Sequence, residues 1–136
     1  MSTQEHVQLV QAGYVAFGSG DIPAILEMLT DDVEWVIPGP TDLPWKGIRR
    51  GKAAVADWFP LLGQNIEFHV FEPHSLIAQG NQVACLLHIE SVMRRTQQPL
   101  AYEEAQIWTF RNGKVARFQI FEDTAAVAAA YRGLEP

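Results

Sequence analysis

The stretch from Tyr102 to Asp123, YEEAQIWTFRNGKVARFQIFED, constrains the fold more than any other part of the chain. Two alternating runs flank Asn112-Gly113, a pair that accepts the positive φ angles of a two-residue hairpin turn, so the chain is expected to fold back on itself here. Side chains alternate across a strand. That puts Tyr102, Glu104, Gln106, Trp108 and Phe110 on one face, with Glu103, Ala105, Ile107 and Thr109 on the other. A face that mixes large aromatics with a carboxylate and an amide is unusual for solvent and suits the wall of a pocket.

Upstream, Ser2 and Glu5 stand in capping-box spacing, and Val7, Val10, Tyr14 and Phe17 recur at helical intervals, predicting a first helix that ends at Gly18 to Gly20. Asp21 can cap a short second helix carrying Ile22, Ile25, Leu26 and Leu29, with Pro23 tolerated in its first turn. Asp31-Asp32 marks a turn. Val33 to Ile37 reads as a strand stopped by Pro38-Gly39-Pro40, and Thr41 to Gly51 as an ordered loop whose Trp45 can lid a cavity. A third helix is expected from Lys52 to about Leu62, with Val55, Phe59 and Leu62 inward and a kink or early end at Pro60.

Strand-like segments follow at Ile66–Phe71, Ser75–Gln79 and Val83–Arg95, broken at Pro73 and turned at Gly80-Asn81. After the hairpin, Thr124 can cap an alanine-rich helix that Gly133 closes. Helices first, then strands joined by tight turns, then a terminal helix mean an α+β fold. Such a strongly curved antiparallel sheet, with helices on one face, leaves a cone-shaped hollow between the layers.

The 136 residues amount to one domain, 1–136. A net charge of −6, with no long basic stripe, argues against nucleic acid as a partner. The single cysteine, Cys85, cannot form an internal disulfide and reads as a core thiol, and no Cys/His spacing resembles a structural zinc site. The absence of a signal-like N-terminus and of any apolar run near the ~18 residues of a membrane span makes a soluble cytoplasmic protein the expectation.

Several stretches together resemble the nuclear transport factor 2-like superfamily, and within it the SnoaL-like polyketide cyclase and ketosteroid isomerase-related proteins. They are Tyr14-Val15-Ala16-Phe17 with Gly20-Asp21, Leu29 through Trp35, Gly47 with Arg50-Gly51, and Trp108 through Val115. The resemblance implies a homodimer associating through the outer sheet face and a pocket between sheet and helices. It does not fix a reaction, because one fold hosts many chemistries.

By resemblance to ketosteroid isomerase, Tyr14 matches the oxyanion tyrosine, but Ile37 falls where the carboxylate base should be and Gln106 where the acidic donor should be. Isoleucine cannot carry a proton. By resemblance to the cyclases, Asp123 is the closest match to a late acidic residue acting as general acid or base. Glu122 points to the opposite face, so only one of the two reaches the pocket, and Asp123 reads equally as a helix cap with Thr124.

From the residues themselves, His88 and Glu90 share a strand face and form either a proton shuttle in the pocket, strengthened by Glu104 opposite, or a polar cluster at a dimer interface. A metal held by His88, Glu90 and Glu104 is chemically conceivable, but neither a metal nor a cofactor is expected. Trp35, Ile37, Trp45, Phe59, Gln106, Trp108 and Phe118 are the expected ligand-binding residues, among which most aromatics serve the core. Two functional classes stand open. One is cofactor-independent proton transfer (isomerisation, cyclisation or dehydration) on an apolar, oxygenated, cyclic or aromatic metabolite; the other is a binding or accessory module without chemistry.

Overall fold

The hairpin forms as its turn residues require, with Asn112 and Gly113 at φ 51° and 80°. In the computed structural model, which describes residues 2–134, it joins the last two strands of a longer succession. The order is α1 (Thr3–Gly18), α2 (Ile22–Glu27), β1 (Leu29–Ile37), β2 (Gly47–Arg50), α3 (Lys52–Asn65), β3 (Ile66–Gln79), β4 (Gln82–Met93), β5 (Gln98–Arg111), β6 (Lys114–Phe121) and α4 (Thr124–Arg132). The class is α+β, as expected.

The strands form one sheet in the order β2-β1-β6-β5-β4-β3. Neighbours run antiparallel except β1 and β6, which are parallel, so the sheet is mixed. Register shifts interrupt the ladders between Phe68 and Val70, Pro73 and Ser75, and Thr109 and Phe110. Bulges of this kind bend the strand that carries them, and here they curl the sheet around its inner face.

That face is aromatic. Trp35 stacks on Phe118 with ring centroids 4.1 Å apart, and Trp108 meets Phe118 edge-on at 4.7 Å. From α3, Trp58 reaches Trp35 at 5.6 Å and donates its indole N–H to the Trp45 carbonyl at 2.9 Å. Trp45 in turn packs edge-on against Tyr131 of α4 at 5.5 Å. Arg132 grips Asp42 through two guanidinium nitrogens, at 2.8 and 3.2 Å. The loop bearing Trp45 is therefore a fixed wall tied to two helices.

Several expectations change. Asp31 and Asp32 lie within β1, which bulges there: Leu29 pairs with Val115 and Glu34 already with Arg117, so the extra residues loop outward. Leu29 opens that strand and is not part of the second helix. The end of the expected loop forms β2 against β1, with Val36 opposite Ile48. The chain passes Pro73 in one continuous strand by means of the second bulge, since proline is tolerated where ladder bonds are already interrupted.

Pro60 does not end α3, which continues to Asn65. The proline is exposed, so its ring faces water. At the last helix, Asp123 is the cap, and Thr124 is already the first helical residue.

An L-residue in the left-handed region costs about 1–2 kcal/mol. Gly113→Ala is therefore expected to destabilise the protein by about 1 kcal/mol in urea denaturation; an unchanged midpoint would mean that the hairpin relaxes into another turn.

Candidate functional site

The curled sheet and the helices surround a cavity whose atom-free space, the open solvent at its mouth included, is about 620 Å³. Its lining is mostly aromatic and aliphatic, and its polar groups converge from three elements. From β5, Glu104, Gln106 and Trp108 point inward, as strand alternation dictates. Tyr14 comes down from α1. Glu122 enters just past the end of β6, where alternation after Phe118 and Ile120 turns it inward and leaves Phe121 outside.

These groups form a chain of hydrogen bonds. The Trp108 indole N–H donates to the Tyr14 hydroxyl at 3.0 Å, and that hydroxyl donates to Gln106 Oε1 at 2.7 Å. The Gln106 amide N–H then donates to Glu104 Oε1 at 2.7 Å. Glu104 lies beside Glu122, one step beyond the Ala105–Phe121 pair of the β5–β6 ladder and on the same cavity wall, and Glu122 Oε1 accepts from the ammonium of Lys46. The Lys46 and Glu122 side chains are 0% and 6% exposed, so this ion pair is withdrawn from water.

Burial pushes the Glu104 carboxyl well above the usual carboxylate range, and the negative charge of Glu122 pushes it further. The amide of Gln106 and the Lys46 ammonium oppose the shift without cancelling it. Glu104 is thereby biased to its neutral acid form. Burial likewise raises the Tyr14 and Tyr102 phenols, so both stay neutral donors. The Cys85 thiol is also raised by burial, in keeping with a core thiol.

Of the residues singled out from sequence, Tyr14, Trp35, Ile37, Trp45, Phe59, Glu104, Gln106, Trp108 and Phe118 all line this cavity. Asp123 does not. It is exposed and accepts the Ala126 backbone N–H at 3.0 Å, because alternation after β6 sends Glu122 inward and leaves Asp123 to cap α4.

His88 and Glu90 are also elsewhere. In β4 the buried set is Val83, Cys85, Leu87, Ile89, Ser91 and Met93, so His88 and Glu90 occupy the outer sheet face. There His88 Nδ1 lies 2.6 Å from Glu103 and Nε2 lies 2.9 Å from Glu90. These carboxylates, Glu90 first, hold the imidazole above its usual range. A shared ion among His88, Glu90 and Glu104 is ruled out by this geometry, because the sheet separates Glu104 from the other two. His74 lies on β3 with Nε2 3.1 Å from Glu103, and His6 is buried and stacked on Phe110 at 4.3 Å.

Sequence reasoning placed Tyr102 on the pocket face, where it lies, but missed Lys46 and put Asp123 ahead of Glu122. The period of two through Phe118 and Ile120 carried the signal for Glu122. Lys46 had no periodic signal at all, since it belongs to an irregular loop. The ketosteroid isomerase pattern is incomplete in space as well: Ile37 is a buried wall residue, and the Tyr14 proton is already given to Gln106.

Curled sheet, helical cover and enclosed cavity define a nuclear transport factor 2-like fold. The SnoaL-like domain model matches residues 10–118, and the chain belongs to that family. An NTF2-like protein from Burkholderia xenovorans LB400 is 33% identical, with a TM-score of 0.88 over 96% of this chain and 98% of its own. An NTF2-like protein of unknown function from Burkholderia pseudomallei K96243 is 25% identical, with a TM-score of 0.86 over 96% and 98%. The structure of TerC co-crystallised with polyporic acid, 24% identical, shares the fold with a TM-score of 0.83 over 94% and 98%. A comparison with curated proteins gives no match.

Family and fold together support a small ligand-binding or cyclase- and isomerase-type protein. Among the described residues, no helix is long and apolar enough to cross a membrane, and no three His, Cys, Asp or Glu side chains are grouped to hold a metal ion.

The raised carboxyl has a consequence for stability. Because the folded state holds the Glu104 proton more tightly than the unfolded chain, its contribution is full below the ordinary carboxyl value of 4.5 and is lost as pH rises through the raised one. Glu104→Gln is therefore expected to flatten the fall in unfolding free energy above that pH, measured by denaturant titration at a series of pH values. Parallel curves for both proteins would contradict the assignment.

Proposed function

We propose that the protein binds a neutral, apolar, oxygenated cyclic or aromatic metabolite in this cavity and moves a proton on it without a cofactor. The observation that carries this reading is a buried acid, Glu104, beside a second carboxylate, Glu122, on an otherwise aromatic wall. Lys46 balances Glu122, and Glu104 favours its uncharged form, so the site carries no net charge. A charged ligand would bury an uncompensated charge at a cost of several kcal/mol.

The chemistry follows from the two carboxyls having different environments. Glu122 accepts a proton from a carbon next to a ligand carbonyl, while Glu104 gives its proton to the carbonyl oxygen, yielding a neutral enol. The proton then returns from Glu122 to the adjacent Glu104. Glu104 then protonates the enol at another carbon while the enol O–H proton passes to Glu122, completing an isomerisation; alternatively the enol carbon attacks a second carbonyl, the enol proton passing to Glu122 and Glu104 protonating the new alkoxide, completing a ring closure.

One observation favours the reading without chemistry. The Tyr14 hydroxyl, the expected oxyanion donor, is already engaged at both ends by Trp108 and Gln106. Hydrogen–deuterium exchange at the activated carbon of 2-tetralone separates the two readings. The protein is expected to accelerate it, Glu122→Gln and Glu104→Gln to lose about 10²-fold or more of the acceleration, and Asp123→Ala to keep it. Tetralone bound and exchanged no faster than in buffer would leave a binding module.

We also propose a homodimer through the outer sheet face. There Phe121, Leu86 and Ile77 are 50%, 37% and 60% exposed. Cross-strand pairing joins Phe121 to Ala105 to Leu86, and Ile77 to Ala84 to Ile107, so the apolar residues form adjacent rows. The histidine and glutamate cluster around His88 borders them. Sedimentation velocity at micromolar concentration is expected to give a dimer that Leu86→Glu dissociates; a monomeric parent protein would refute this association.

A further inference from the structure

A lysine is the least expected residue behind an aromatic pocket. Lys46 does not line the cavity; its side chain is fully buried, and its ammonium ends on Glu122 Oε1. The backbone makes room for it at Gly39, where a methyl group would stand 2.9 Å from both Cδ and Cε of Lys46. Gly39 also has a φ of +137°, which L side chains rarely adopt. The proline-rich loop is thus shaped around the lysine stem.

Two carboxyls side by side are not both ionised without large cost, and neighbouring charges decide which one keeps the proton. Glu122 has an ammonium beside it, whereas the side chain that donates to Glu104 is the neutral amide of Gln106. We propose that Lys46 is the positioning residue that assigns the shared proton, fixing Glu122 as the carboxylate and Glu104 as the acid presented to the ligand. This rests on the reading that the cavity is the reactive site, and it sets the direction in which protons enter and leave a substrate there. With the lysine's charge removed, nothing distinguishes the two carboxyls in favour of ionisation, and the pair takes up a second proton.

Infrared spectroscopy of the ligand-free protein near neutral pH tests this through the C=O stretch of buried carboxylic acids. The parent protein is expected to show one such band, absent in Glu104→Gln. Lys46→Met is expected to show a second band, with the titration midpoint of the pair raised by about one pH unit, a tenfold gain in proton affinity. Lys46→Arg, which keeps the charge, is expected to retain the single band. A folded Lys46→Met protein with one band and an unmoved titration would overturn the proposal.

Should Lys46→Met fail to fold by circular dichroism, Gly39→Ala carries the same test, since its methyl displaces the lysine stem without removing its charge. A smaller shift in the same direction supports the assignment, and an unmoved midpoint overturns it. No ligand enters these measurements, so they stand apart from the exchange assay. The expected bands without tetralone exchange would sink the catalytic reading alone, and exchange without the bands would sink this one.

Discussion

The arrangement depends on one constraint: Glu104 is held out of water against a second carboxylate. Water cannot screen two such charges in an aromatic enclosure, so neighbouring groups must absorb them. They do so in two ways. Lys46 balances Glu122, and Glu104 keeps its proton, with the amide of Gln106 filling one of its acceptor sites. Remove any one of these groups and a polar atom is left buried without its partner, a situation that costs about 1–3 kcal/mol for a neutral group and more for a charge.

The same constraint explains why the surroundings are rigid. A proton placed by geometry stays placed only if the geometry does not drift, and each member of the chain is secured from outside it. Trp108, which begins the hydrogen-bond chain, is packed against Phe118 and Trp35, at 4.7 and 6.4 Å. Lys46 ends a loop that Trp58 holds through the Trp45 carbonyl and that Arg132 holds through Asp42. These contacts are mostly apolar or exposed and lie away from the carboxyls. The scaffold can therefore fix the polar pair without competing for its hydrogen bonds.

Much of the fold was legible because its signals are local. Asn112-Gly113 dictates a turn, and once the turn is set, a period of two decides that Glu104, Gln106 and Trp108 face inward together. The capping box at Ser2 and Glu5 fixes where α1 begins and hence where Tyr14 lands. Bulges were not legible, since they depend on the partner strand, and so Asp31-Asp32 read as a turn and Pro73 as a break. Lys46 was invisible for a related reason: an irregular loop has no periodicity to say which side chain points in, and only Gly39, seven positions earlier, hints that something must pass close to the backbone.

Alternation also decides between the two carboxylates at the end of β6 and puts the His88–Glu90 pair of β4 on the outer face. The pocket face of β4 carries Cys85, Leu87 and Ile89, so a titratable group could reach the cavity from this strand only by a register slip of one residue, which would expose that apolar set to water. Burial of Leu87 and of Ile89 contributes about 1.5–3 kcal/mol each, so these two, with Cys85 beside them, outweigh anything a surface imidazole gains by pairing with Glu103 and Glu90. His88 is therefore held outside by the hydrophobic residues on either side of it. Inward acidity comes instead from Glu104, midway along β5, and from Glu122, just past the end of β6, where the loop that brings Lys46 meets them.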